Sequence, residues 1–245
     1  YPTASLAEVE ADPSKALCWS PIGRFATGET EQPFSAAFNG KRHSISNVYL
    51  REAADPTVQA WGLFGLVTGT VVSVQVRSGL YDTPNGMYVG GIVGCLKTPQ
   101  LLSDCFNAAQ VTGSNYLGGV VGYMEASQRL TIDCCGNAGD VVFLGGEYGA
   151  AGGVIGYSKL SADLSLLRVF NTGAVRGTGG HKAGMMGWAE ITRGVPSVSW
   201  QRCYGAGDIE TSGGAPAYLY TAATGVVFSY RDCAYDTSRV TADEK

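Results

Sequence analysis

The two histidines, the seven cysteines and the scattered carboxylates are the residues of this sequence that could bind a metal ion or transfer protons. His43 and His181 lie far apart, and the sequence contains no HExxH motif, so the spacing of a peptidase zinc site is missing. Cys134 and Cys135 have no CxxC partner, and no GGxGxDxUx calcium repeat occurs. The sequence therefore predicts no metal and no cofactor, and it predicts structural roles for both histidines, with His43 supporting the first turn.

Glycine-rich segments are the next candidates, because a glycine loop can cradle a phosphate group. GGIVG at 90–94 is followed by GGVVG at 118–122 and GGVIG at 152–156, with the looser forms GLFG at 62–65 and GMMG at 184–187. A phosphate loop needs a helix whose N-terminus faces the anion, whereas strand-like residues follow these motifs and no GKS or GKT occurs. We therefore interpret the motifs as scaffold. Their final glycines are Gly65, Gly94, Gly122, Gly156 and Gly187.

A repeat of about 30 residues organises the chain, since these glycines recur at intervals of 28 to 34 residues. A second element follows each motif and aligns into two apolar columns. The first column contains Val48, Val74, Cys105, Cys135, Val169, Cys203 and Cys233. The second, three residues earlier, contains Ile45, Val71, Leu102, Ile132, Leu166, Trp200 and Tyr230. Two positions after the first column stand Asn107, Asn137 and Asn171, which we expect to stack as an amide ladder.

This period predicts a parallel β-helix, or β-solenoid, of about seven coils, because one coil cannot bury its own apolar face and stacking buries it. A β-propeller blade is longer, at about 40–50 residues, and the many glycines and β-branched residues disfavour helical repeats. Glycine is expected to allow turns with positive φ and close approach of coils. We expect one domain over 1–245, with an N-terminal cap over 1–20, coils over 21–236 and a tail over 237–245.

The cysteine column permits two interpretations. Cys105 and Cys135 lie on adjacent coils, as do Cys203 and Cys233, and a coil spacing of about 4.8 Å falls within the Cα separation of disulfides, about 4.4–6.8 Å. Valine occupies the same column in other copies, however, and stacked side chains often miss the required dihedral angle. We favour free, buried thiols and leave the disulfides as the alternative.

Taken together, these motifs resemble those of the GLUG-motif family, over a stretch from about Trp19 to Asp236. WSPIG, FSAAFNGKRHSISNVYL at 34–50, the GLFG segment and the closing CAYD carry the resemblance. Departures from the usual first unit of the family stand at Ala36, Asn39 and Arg42. The resemblance implies a right-handed β-helix from a bacterial secreted or cell-surface protein. Such repeats occur in adhesin-like proteins and beside the catalytic part of some IgA-cleaving metallopeptidases, and they imply no particular catalytic residues.

A glycan-active β-helix enzyme, a polysaccharide lyase or hydrolase, is the alternative, because such enzymes place acids on neighbouring coils. Asp140 and Asp208 share a column two coils apart, about 10 Å, which slightly exceeds the separation of about 6.5–9.5 Å in inverting enzymes. One further column has no adjacent acidic pair. It reads Asn47, Ser73, Asp104, Cys134, Arg168, Arg202 and Asp232. We therefore predict no catalytic residues.

Aromatic side chains supply the candidate binding site. The residues directly after the final glycines of successive motifs are Cys95, Tyr123, Tyr157 and Trp188. Tyr123, Tyr157 and Trp188 would stack along one side of the solenoid, where they could bind sugar rings or a partner. The alternative is that they are half-buried and merely cover the edge of the coils.

Composition narrows the function classes. Charged residues make up 16 % of the chain and the net charge is −4, so the basic face of a nucleic-acid-binding protein is missing. The sequence contains no run of about 18 apolar residues, so it predicts no membrane span. A lipid or wall anchor would lie outside this chain. We expect a non-enzymatic, extracellular or surface module of bacterial origin, adhesin-like or a spacer, with a glycan or a host or cell-surface protein as partner.

Overall fold

The computed structural model describes residues 6–12, 18–52, 55–98, 101–211, 226–236 and 240–242. The described residues form one α-helix, Leu6–Ala11, and 31 short β-strands. The strands stack into five parallel ladders, which we number sheets 1 to 5 in the order in which each coil passes through them.

Within the described part of the chain, sheets 1 to 3 contain seven strands each. The strands of sheet 1 are Ala37–Asn39, Thr70–Val72, Leu101–Ser103, Leu130–Asp133, Leu164–Leu167, Ser197–Gln201 and Val227–Arg231. Those of sheet 2 are Ser44–Ile45, Gln75–Val76, Phe106–Asn107, Gly136–Asn137, Phe170–Asn171, Tyr204–Gly205 and Ala234–Tyr235. Those of sheet 3 are Val48–Arg51, Gly79–Asp82, Gln110–Gly113, Val141–Phe143, Val175–Gly177, Ile209–Thr211 and Val240–Ala242.

Sheets 4 and 5 contain five strands each among the described residues. The strands of sheet 4 are Ala60–Trp61, Tyr88–Gly90, Tyr116–Gly118, Ala150–Gly152 and His181–Ala183. Those of sheet 5 are Phe64–Val67, Val93–Lys97, Val121–Ala126, Ile155–Leu160 and Met186–Ile191. The predicted parallel β-solenoid is confirmed: the chain makes about 6 turns of about 31 residues each. Seven stacked strands are related by six turns, which accounts for the prediction of about seven coils.

Both ends of the solenoid differ in detail from the expected boundaries. The helix lies within the predicted cap, and Cys18 and Ile22 then bridge to Tyr49 and Phe64, so this segment already covers the edge of the first coil. At the other end, Val240–Ala242 pairs with sheet 3 although a tail was expected from residue 237. The remaining parts of the predicted cap and tail, 1–5, 13–17, 237–239 and 243–245, lie outside the described residues.

The predicted alignment of the first coil is wrong. Ile45 pairs with Val76, and Val48 pairs with Gly79, so these residues belong to sheets 2 and 3. Phe38 is the residue that pairs with Val71. The first corner between sheets 1 and 2 holds four residues, 40–43, whereas the next coil needs only 73–74, and the two extra residues shift the register. Ile45 and Val48 concealed this shift in the sequence, because they have the same three-residue spacing as Val71 and Val74.

The glycines of the repeated motif serve the close approach of coils. A Cβ atom on Gly122 would lie 2.5 Å from the backbone nitrogen of Val89 on the preceding coil, and one on Gly94 would lie 2.6 Å from that of Trp61. The expectation of positive φ at these glycines is wrong, because neither adopts the left-handed region. Close contact with neighbouring backbone, which only a residue without Cβ permits, is therefore the reason for glycine here.

Left-handed backbone instead occurs at the corner between sheets 1 and 2. In the longer first corner, Lys41 has φ 50°. Each of the seven corners also holds one non-glycine residue with φ between 52° and 61°: Arg42, Ser73, Asp104, Cys134, Arg168, Arg202 and Asp232. Six of the seven belong to the column that lacks an adjacent acidic pair, and Asn47, the seventh member of that column, also has a positive φ of 58°. Their charged side chains bind across coils: Arg42 Nε lies 2.7 Å from Asp104 Oδ2, and Arg168 pairs with Asp133.

A polar ladder crosses the apolar interior. Asn107 Nδ2 donates to Asn137 Oδ1 at 2.9 Å, and Asn137 Nδ2 donates to Asn171 Oδ1 at 2.9 Å. Each side chain also bonds the backbone two residues further on, as Asn137 does with both the N–H and the C=O of Gly139. All three asparagines are fully buried, so these bonds satisfy amide groups that have no access to water.

All seven cysteines are free thiols in the structure. Cys105, Cys135 and Cys203 are buried within the hydrophobic core, and Cys233 is partly exposed. Burial raises the pKa of Cys203 to about 11, and a hydrogen bond with Cys105 together with burial raises the pKa of Cys135. These thiols therefore act as small apolar side chains, which suits a column shared with valine.

Thiol counting tests this arrangement. We expect Cys18 and Cys134 to be the first thiols to react with a thiol reagent in the folded protein, because they are exposed and the other thiols are partly or fully buried. Without reductant, the unfolded chain should give seven reactive thiols, and Cys134→Ser should lower both counts by one. Fewer than seven in the unfolded chain would establish a disulfide and contradict the free-thiol arrangement.

Candidate functional site

Two columns of outward-facing residues meet where sheets 4 and 5 adjoin. The first residues of the sheet 4 strands lie in register: Ala60, Tyr88, Tyr116, Ala150 and His181. The residues after the final glycines lie in register on sheet 5: Leu66, Cys95, Tyr123, Tyr157 and Trp188. Strand alternation sets the direction, since the next residue in each strand, such as Leu117 or Met124, is buried in the core.

The rings of the two columns, together with Phe25 of the N-terminal segment, form one side of the solenoid, which we call the aromatic face. Its members are Phe25, Tyr88, Tyr116, Tyr123, Tyr157, His181 and Trp188. Along the columns, the ring centroids of Tyr88 and Tyr116 lie 5.9 Å apart and those of Tyr123 and Tyr157 lie 5.7 Å apart, both pairs stacked. Between the columns, Tyr88 lies 4.8 Å from Tyr123. Mutual packing of this kind holds the rings rigidly in place.

The structure places the predicted residues Tyr123, Tyr157 and Trp188 on consecutive strands of sheet 5, each partly exposed. They pack against the coil edge and also present ring surface to solvent, so the two alternatives drawn from the sequence describe one arrangement. Sequence reasoning missed the neighbouring column of Tyr88, Tyr116 and His181. A signal for it exists, because each of these residues stands two positions before a motif's first glycine or the alanine that replaces it.

A slot interrupts the aromatic face above Ala150, a buried small residue at a position that carries a ring on the strands to either side. Tyr157 packs on Tyr116 with centroids 4.3 Å apart, and Trp188 packs on His181 with centroids 4.1 Å apart. The rings therefore group into two pairs on opposite sides of the alanine. The resulting cavity has a volume of about 200 Å³, and its lining includes the side chain of Tyr148, which is 88 % exposed.

The slot is neutral at neutral pH. Burial lowers the pKa of His181 below its ordinary value of 6.5, which favours the uncharged imidazole. Burial raises the pKa of Tyr116, and burial together with a hydrogen bond to Glu190 raises that of Tyr157. Further along the face, burial raises the pKa of Tyr88 to about 12. The rings thus present protonated hydroxyls and uncharged π surfaces.

A row of alternating charges borders the aromatic face on sheet 5. Lys97, Glu125, Lys159 and Glu190 lie in register on four consecutive strands. The hydroxyl of Tyr157 donates to Glu190, and Lys97 pairs with Glu31 while its Nζ lies 5.0 Å from the ring centroid of Phe25. The alternation leaves this border close to neutral, so it does not attract a strongly charged ligand.

Two carboxylates away from the aromatic face, Asp104 and Asp140, are engaged in contacts between coils. Asp140 and Asp208 share a column two coils apart, as predicted, and Asp140 lies 3.5 Å from Arg176. The hydrogen bond from Arg42 to Asp104 lowers the pKa of that carboxyl. These contacts give the carboxylates a role in joining coils.

A second cavity, of about 320 Å³, lies between the N-terminal segment and the first coil. Arg24 lines it and pairs with Asp55 at 2.8 Å and with Glu29 at 2.7 Å. These charges satisfy one another, which makes the cavity a weaker candidate than the slot. Within the described ranges, no group of three or more His, Cys, Asp or Glu side chains lies close enough to hold a metal ion. In the same part of the chain, no helix has the length and apolar character needed to cross a membrane.

Comparisons of the chain with protein-family models, with curated protein sequences and with solved structures found no match. The resemblance to the GLUG-motif family stays a prediction from the motifs.

Proposed function

We propose that the protein is a non-enzymatic, adhesin-like module, secreted or displayed on a bacterial surface, that binds carbohydrate through its aromatic face. The observation that carries this proposal is the row of partly exposed, mutually packed rings on successive coils of one side. Aromatic rings with a polar tip suit a ligand that has both apolar and hydroxyl-bearing surfaces, as a sugar ring has. The surface location rests on the resemblance of the motifs.

The scaffold favours binding over catalysis. Its rings are held by packing on regular strands, so a ligand would meet a surface that is already in place, which lowers the entropy cost of binding. Strand spacing of about 4.8 Å places the five strands of sheet 4 over about 19 Å, enough to contact several units of an extended chain. The alternating charges beside the rings favour a neutral polymer over a polyanion.

Removing two rings tests the proposal. We expect Tyr157→Ala combined with Trp188→Ala to weaken binding to glycans on an array, or to cells that carry them, by at least tenfold, because stacking surface is lost from two adjacent strands. Tyr204→Ala is the matched control, since Tyr204 lies on sheet 2 and is 47 % exposed. Unchanged binding by the double variant, or no glycan binding by the unaltered protein, would contradict the proposed function.

A further inference from the structure

The geometry points to the slot over Ala150 as a subsite for one neutral pyranose ring, held between the pair Tyr116–Tyr157 and the pair His181–Trp188. This inference rests on the proposed function and makes it specific. It assigns the main recognition of a glycan to a single sugar unit at one place on the aromatic face. The remaining rings then support neighbouring units of the same chain.

The width of the slot fits one ring. Tyr116 and His181 stand on the strands on either side of Ala150, two strand spacings or about 10 Å apart at the backbone. Packed rings lie about 4.5–7 Å apart between centroids, so one further ring fits between these two at stacking distance. The volume of about 200 Å³ is smaller than the about 300–1,000 Å³ of sites for larger ligands, which favours one sugar unit over an oligosaccharide.

The chemistry of the walls favours a sugar. The two aromatic pairs offer uncharged surfaces that match the apolar C–H faces of a pyranose. Polar groups lie at the border, where Glu190 accepts a hydrogen bond from Tyr157. A carboxylate has two oxygens and about four lone-pair sites, so Glu190 can also accept a hydrogen bond from a sugar hydroxyl. Lys159, in register with Glu190 on the adjacent strand, balances its charge and disfavours a cationic ligand.

Tyr148 supplies an outer wall. It stands on the turn between Phe143 and Ala150, and backbone hydrogen bonds fix both ends of this turn: Leu144 donates to Gly113, and Ala150 donates to Asn115. The exposed ring of Tyr148 therefore lies on an anchored turn beside the slot, where a bound sugar would cover part of it.

Filling the slot tests the inference. Ala150→Tyr places a ring in register with Tyr116 and His181, so the stack becomes continuous like that of Tyr88 and Tyr116. The probes are methyl hexopyranosides and methyl N-acetylhexosaminides, measured with the full chain by saturation-transfer NMR and calorimetry. We expect the unaltered protein to bind at least one probe with a Kd on the order of millimolar, given its few heavy atoms, and Ala150→Tyr to weaken binding at least tenfold.

One control variant and one further test variant separate the possible results. Ala37→Tyr adds the same ring to an exposed position on sheet 1 and should bind the probe like the unaltered protein. Tyr148→Ala changes only an exposed side chain and should weaken binding several-fold, which keeps the test valid if Ala150→Tyr fails to fold. Unchanged probe binding by a folded Ala150→Tyr overturns the inference, as does binding of an aromatic amino-acid amide in place of any sugar. Binding of glycan polymers without monosaccharide binding overturns the subsite alone, whereas no binding of any saccharide overturns the proposed function as well.

Discussion

Replacing Gly122 with alanine is expected to lower the free energy of unfolding by about 3 kcal/mol, at the upper end of the usual cost of overpacking. The added Cβ would lie 2.5 Å from the nitrogen and 2.7 Å from the oxygen of Val89. Both atoms belong to the backbone of the neighbouring coil, which cannot rotate away as a side chain could. The two coils must therefore separate locally, and separation weakens the hydrogen bonds of the ladders on both sides of the substitution.

Urea denaturation measures this effect, and Gly146→Ala is the matched control. A Cβ on Gly146 meets nothing within 4 Å, and its φ lies outside the left-handed region. That variant should change the free energy of unfolding by less than about 1 kcal/mol, because alanine at a compatible position mainly restricts the unfolded chain. Equal stabilities of the two variants would show that coil contact does not explain the repeated glycines.

Replacing Asn137 with alanine is expected to cost about 4 kcal/mol, since its side chain makes four hydrogen bonds inside the core. The change leaves polar groups of Asn107, Asn171 and Gly139 buried without these partners, and each such group costs about 1–3 kcal/mol. Asn107 and Asn171 end the ladder and each bond only one neighbouring asparagine. Their alanine variants should therefore cost about 1 kcal/mol less.

The same denaturation series distinguishes the ladder from ordinary packing. Asn85→Ala, at an exposed turn, serves as the control and should change stability by less than about 0.5 kcal/mol. The double variant of Asn107 and Asn137 should cost less than the sum of the two single changes, because one shared bond is lost only once. A strictly additive result, or equal costs at all three positions, would contradict a cooperative ladder.

The fold could be predicted because the apolar segments and glycines that produce it recur periodically in the sequence. Each coil contributes the same short apolar strands, and close approach of coils demands glycine at the same place, as at Gly94 and Gly122. The asparagines were equally visible, since a buried amide can be satisfied by an identical neighbour one coil away. The first coil was aligned incorrectly because its corner at 40–43 is two residues longer than that of the next coil. Ile45 and Val48 also repeat the three-residue spacing of the apolar columns.

The candidate site was only half visible in the sequence. Tyr123, Tyr157 and Trp188 follow a glycine directly, so their column could be found by counting. The column of Tyr88 and Tyr116 also keeps a fixed spacing before the glycines, but its contact with Tyr123 and Tyr157 across a corner is not encoded by periodicity. The left-handed residues at the corner between sheets 1 and 2, such as Cys134 and Arg168, also gave no signal, because they are not the glycine, asparagine or aspartate usual for that conformation.

The register of Ala150 with Tyr116 and His181 has a consequence for how such a protein can diversify. The position of Ala150 in the sheet 4 strand, which decides where the gap occurs, points away from the core. The neighbouring inward residues fill the interior. Exchanging a large and a small residue at this position would move the gap from coil to coil while the frame stays intact. Duplication of coils followed by single substitutions would then create new ligand preferences, and the protein encoded at each step would still fold.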